Sequence, residues 1–131
     1  MAGNSSYRDL RIWQEAVELA LTVYRVTMTF PKHELYGLTS QMRRAAVSIS
    51  SNIAEGKGHS SDGDFGRFLF HARGSLLELQ TQIVIAKGLD YLTKEQASKL
   101  VQTTDDLGRG LNGLIQTVRG TARKFAMANS E

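Results

Sequence analysis

This chain of 131 residues has no cysteine and a single proline. The first absence excludes disulfides and thiolate metal sites and suits a cytoplasmic protein. The second removes the commonest helix breaker. No apolar run approaches the ~18 residues that a membrane span requires, so no membrane partner is expected. Met1 to Ser6 lack a basic stretch followed by an apolar one and do not read as a secretory signal. Alternating apolar and polar runs are scarce, which argues against strands. Acidic residues are missing altogether from Leu107 to Ser130. The net charge of +3 is mild and permits an anionic partner without demanding one.

Helical periodicity fills the space that these absences leave. Ser6 and Asp9 have capping-box spacing, and Leu10, Trp13, Val17, Ala20, Tyr24 and Met28 then recur at three and four residues. That face predicts a first helix over about 7–30, ending at Phe30-Pro31. A second helix, 38–57, carries Leu38, Met42, Ala45, Ala46, Ile49 and Ile53 on one face. It is expected to stop among Gly56, Lys57 and Gly58, where glycine tolerates a left-handed end. Ser61 and Asp64 cap a third helix, 62–87, with Phe65, Phe68, Leu69, Ala72, Leu76, Leu79, Ile83 and Ala86 inward. Thr93 and Gln96 cap a fourth, 94–122, followed by a flexible tail over 123–131. Four amphipathic helices with short connections predict one all-α domain over 1–131, an antiparallel up-down four-helix bundle.

The third helix carries a second apolar stripe. At ~100° per residue, Gly66, Phe70, Leu77 and Val84 fall beside the core stripe, with Arg73 and Gln80 between the two. The stripe either widens the core contact or forms a subunit interface. On the second helix, Arg44, Ser48, Ser51 and Glu55 share one side. They form either a solvated face or a polar network reaching Arg73 and Glu78.

Catalytic chemistry finds no footing. A dimetal bundle needs Glu-x-x-His pairs, and the chain has none. Gly56-Lys57-Gly58-His59-Ser60-Ser61 lacks the order and the preceding strand of a phosphate loop. No Ser/His/Asp set has a supporting context, so no catalytic residue, metal or cofactor is expected. The functional signal is basic surface. Arg109, Arg119, Arg123 and Lys124 project within an arc of about 140°, opposite Leu107, Leu111, Leu114 and Val118. Such a face suits a phosphate backbone, since each neutralised phosphate releases counterions; the plainer alternative is a solvated outer face. Arg43 and Lys57 add scattered positive charge. No platform of interleaved aromatics for single strands is evident.

Several segments together resemble the four-helix-bundle family of 23S rRNA intervening-sequence proteins. They are Leu10-Arg11-Ile12-Trp13-Gln14-Glu15-Ala16, Phe30-Pro31, Tyr36 through Ala46, Ser51-Asn52-Ile53-Ala54-Glu55-Gly56, Arg67-Phe68-Leu69, Ala72 through Leu79, and Leu111-Asn112-Gly113-Leu114-Ile115. The resemblance implies a ring-like homopentamer. It extends to the accessory protein of diversity-generating retroelements, which is associated with nucleic acid. It points to Arg43, Arg44, Asn52, Glu55, Arg67, Arg73 and Glu78 as positions that matter, and it assigns no activity. Ser50-Ser51 stand where the family often has Pro-Ala or Pro-Ser, so a local kink is expected to be weaker here. The expected function is a non-enzymatic homo-oligomer that binds RNA or DNA weakly through basic surface, with subunit contacts drawn from the second stripe of the third helix, Gly66, Phe70, Leu77 and Val84, and from the small residues of the second, Ala45, Ala46, Ser48, Ser50, Ser51 and Ala54. The alternative is a scaffold for another protein, its positive charge incidental.

Overall fold

A computed structural model describes residues 6–59 and 61–129, and of residues 122, 125 and 129 the backbone alone. The expectations for the first five residues, Ser60, and residues 130–131 lie outside the described residues. A 3-10 turn at Tyr7–Asp9 leads into α1, Arg11–Thr27; a second at Lys32–Glu34 precedes α2, Leu38–Gly58. Then come α3, Asp62–Gly88, and α4, Lys94–Asn129. There are four helices, and no strand among the described residues. α2 packs on α1 and α3, and α4 packs on α3 and α1, which leaves α1 and α3 diagonal.

Local chemistry sets the boundaries. The Ser6 box closes reciprocally on the 3-10 turn rather than on α1. The Ser61 hydroxyl accepts the Asp64 N–H at 3.1 Å, and Thr93 and Gln96 each accept the other's N–H at 3.0 Å. α2 has a cap borrowed from the turn before it. The Glu34 carboxylate accepts the Leu38 N–H at 3.1 Å and the Tyr91 hydroxyl at 2.9 Å, tying the α1–α2 and α3–α4 connections together. The Leu38 N–H foremost, then the Tyr91 hydroxyl, lower the Glu34 carboxyl from its ordinary pKa.

Three expectations are corrected. The left-handed helix end is not made by glycine: α2 runs through Gly58 to an extended His59. The left-handed residue is Asp90, φ 63°, after α3. There the Tyr91 N–H returns to the Ala86 carbonyl and the Asp90 N–H to Lys87, a Schellman closure. α1 turns a different face inward, burying Ile12, Ala16, Leu19 and Val23, while Tyr24 and Met28 face out, Met28 at 77% exposure. Finally, α4 does not give way to a tail at 123 but stays helical through Asn129. No proline or left-handed residue interrupts it.

The core is a column of Leu19, Val23, Met42, Ile49, Ile53, Leu69, Leu76, Leu79, Ile83, Leu100, Leu107 and Leu111. Each such side chain contributes about 1.5–3 kcal/mol on burial. One buried polar group fits it poorly. Gln82 reaches Glu78 Oε1 only at 3.4 Å, and its own Oε1 has no partner among the described residues. A buried carbonyl left unpaired costs about 1–3 kcal/mol. Gln82→Leu is therefore expected to raise stability by about 1 kcal/mol, read as a higher urea midpoint at unchanged slope. A lower midpoint would overturn this reading of Gln82 as an unpaired buried group.

Candidate nucleic-acid interface

α3 and α4 run antiparallel in a register that three contacts fix. Gly66 faces Val118, with 3.7 Å between a Cβ built on the glycine and Val118 Cγ1. The Arg73 guanidinium donates to Asn112 Oδ1 at 3.1 Å. The Gln80 amide donates to Thr104 at 3.1 Å and Asp105 at 2.9 Å. This register brings the beginning of α3 beside the acid-free end of α4.

At that end lies a half-open groove of about 350 Å³, lined by Asp62, Gly63, Gly66, Arg67, Phe70, His71 and Arg119. Phe70 is its aromatic floor. The Arg73 Cζ lies 4.7 Å and the Arg119 Cζ 5.2 Å from the ring centroid, both over the ring. A phenyl face carries negative electrostatic potential, so it gathers guanidinium groups at a solvent boundary. The same pattern recurs one step back along α3. Arg67 lies over Phe68 at 4.6 Å, His59 stacks on Phe68 at 4.8 Å, and Lys57 lies over Phe65 at 5.8 Å. Asp64 offsets part of this charge, 3.6 Å from both Arg67 and His59. Arg123 and Lys124 are exposed on the next turn of α4 after Arg119.

The sequence alone does not reveal this pairing of Phe70 with Arg119. Phe70 and Arg119 lie far apart in sequence, and only the α3–α4 register joins them. The other basic residues divide. Arg109 pairs with Asp106 and sits beside Asn112, about 15 Å down α4 from Arg119 at 1.5 Å per residue. Arg43 lies on the opposite, α1–α2 seam: its Nε donates to Thr27 at 2.9 Å, and its Cζ lies 4.6 Å from the Tyr24 ring centroid.

Residues 8–113 match the family described as 23S rRNA-intervening sequence protein. The chain belongs to that family. No curated protein matches it. A solved structure from Bacteroides thetaiotaomicron VPI-5482, described as a protein with unknown function from the S23 ribosomal protein family, superposes with a TM-score of 0.72 at 20% identity. The alignment covers 79% of this chain and 97% of that one, and it shows a shared fold.

Within this family member, the polar residues of α2 and α3 meet differently from the expected network. No hydrogen bond or ion pair among the described residues joins Arg44, Glu55, Arg73 and Glu78. Ser48 and Ser75 instead bridge the helices at 2.9 Å, and the Asn52 amide donates to the Ser48 carbonyl at 2.8 Å. Arg44 and Glu78 line the groove above that bridge. Leu77 and Val84 are not part of a widened core: they stand 57% and 66% exposed. With Val101 across the helix pair, Val84 borders a second groove of about 380 Å³. On α1, Leu21 is exposed together with Tyr24 and Met28, the last two expected in the core, and Tyr36 in the turn before α2 stands at 93% exposure. No helix among the described residues is long and apolar enough to cross a membrane, and these residues contain no cluster of three or more His, Cys, Asp or Glu fit to hold a metal.

Proposed function

We propose that this chain is a non-enzymatic cytoplasmic protein that assembles into a ring-like homopentamer and binds RNA or DNA at the basic end of its α3–α4 pair. The observation that carries the binding is the convergence of Arg67, Arg73 and Arg119 at Phe70, with Arg123 and Lys124 exposed on the next turn of an α4 segment free of carboxylates. Two different exposed apolar patches, Leu77 and Val84 on α3 and Leu21, Tyr24 and Met28 on the diagonal helix α1, support the ring. A two-fold dimer needs one self-complementary patch, whereas a cyclic ring joins two unlike ones. Ring closure would repeat the basic end once per subunit, so a weak site gains avidity.

Fluorescence anisotropy with labelled RNA and duplex DNA across a salt series tests this. Binding is expected to fall steeply with salt. Changing Arg119, Arg123 and Lys124 together to Glu should abolish it, or flatten the log–log salt slope by about 2–3. Binding indifferent to salt and to these changes would overturn the reading and leave the scaffold for another polypeptide in its place.

A further inference from the structure

We infer that the groove beside Phe70 is a stacking site for one unpaired base of a single-stranded nucleic acid, with Arg119 moving from the ring to a flanking phosphate. The inference rests on the reading that this end binds nucleic acid and narrows it to a strand type and a contact.

The two guanidinium groups over Phe70 are not equivalent. Arg73 is fastened to Asn112 at 3.1 Å and stays in place without a ligand. Arg119 has no hydrogen bond or ion pair among the described residues, and its contact with the ring is the longer, 5.2 Å. A flat base covers far more of a phenyl face than one guanidinium does, and every base has such a face. Arg119 can leave the ring while its charge gains a bidentate phosphate, which a planar guanidinium matches in geometry. Phe70 is 36% exposed, so the ring is accessible at its edge before any movement. Arg67 and His71, one turn apart on α3, border the groove where the strand's next phosphate would pass.

Two glycines leave part of the groove lining without side chains. A Cβ built on Gly63 meets nothing within 4 Å, and one on Gly66 makes only an ordinary contact with Val118. The packing of the chain therefore does not require glycine at either position. Both glycines weaken a helix whose first turns they occupy, and both keep the groove wall bare. A duplex holds its bases stacked on one another and has none to offer. The site is thus expected to distinguish strand from duplex where the surrounding charge does not.

The experiment compares a labelled oligo(dA) strand, its matching duplex, and heparin, a polyanion without bases, at one moderate salt concentration. Phe70→Leu keeps an apolar side chain and removes the aromatic face. It is expected to weaken strand binding roughly 5- to 100-fold and duplex and heparin binding much less, by whatever loosening of Arg73 and Arg119 the lost ring face allows. Phe70→Trp should restore strand binding and add an indole emission that the strand quenches and heparin does not. Gly63→Leu, which fills the groove from the other wall, should give the same selective loss. Equal losses for strand and heparin, or none for the strand, would overturn the stacking site and leave the broader electrostatic reading intact. Failure of all three probes to bind wild-type protein would overturn both.

Discussion

Val84→Asp is expected to convert the proposed ring into a folded monomer. Val84 stands 66% exposed on the isolated chain, so a carboxylate there costs the monomer little; surface changes of this kind usually stay within about 0.5 kcal/mol. In the assembly the same position would sit against an apolar partner face. Burying a carboxylate without a partner costs several kcal/mol, roughly a hundred- to thousand-fold in the dissociation constant of each contact. A cyclic ring carries the change once at every interface, so closure fails as a whole. Leu77→Asp, two turns earlier on the same stripe, should do the same. Light scattering reads the mass, and circular dichroism checks that the helices persist. An assembly of full size in both variants would remove the α3 stripe from the interface and with it the proposed ring geometry.

How the residues announce this fold differs from helix to helix. α2 was legible outright, because Met42, Ala45, Ala46, Ile49 and Ile53 form a single broad apolar face with serines on the other side. α1 was not. It carries two apolar stripes about 140° apart, Ile12-Ala16-Leu19-Val23 and Leu21-Tyr24-Met28, and periodicity cannot say which one turns inward. Only the neighbouring helices decide, and they take the stripe of smaller, purely aliphatic side chains. The same ambiguity on α3 was visible, since Leu77 and Val84 sit beside a core stripe that already suffices for a bundle. The Glu34 cap on α2 escaped the sequence because its acceptor precedes the helix and its second donor, Tyr91, comes from the far end of α3. The basic face was read from α4 alone. Its aromatic half lies on α3, and Arg109, projected onto the same arc, belongs to a different level of the bundle beside Asp106.

The placement of that aromatic half depends on one close approach, and Gly56→Ala is expected to disturb it. Gly56 is buried near the end of α2, where the helix crosses the first turns of α3. A Cβ there would lie 2.7 Å from Phe68 Cβ and 3.1 Å from Phe65 Cδ1. The first neighbour is anchored to the α3 backbone and cannot swing aside, so the two helices must part. Two effects compete. Alanine is the better helix former by about 1 kcal/mol. Overpacking a core contact costs about 1–3 kcal/mol, and a Cβ–Cβ clash belongs at the upper end. The balance is a net loss of about 1–2 kcal/mol, and Gly56→Val, with two further carbons in the same space, should lose more. Gly58 supplies the comparison. It ends the same helix, and a Cβ on it meets nothing within 4 Å, so Gly58→Ala should keep the propensity gain without the clash. Urea midpoints are expected in the order Gly58→Ala, wild type, Gly56→Ala, Gly56→Val. A midpoint for Gly56→Ala at or above wild type would show that α3 yields at Phe68 without cost. If the order holds, the same displacement should reach Phe70, two residues along α3, and Gly56→Ala should weaken single-strand binding although its own side chain faces away from the groove.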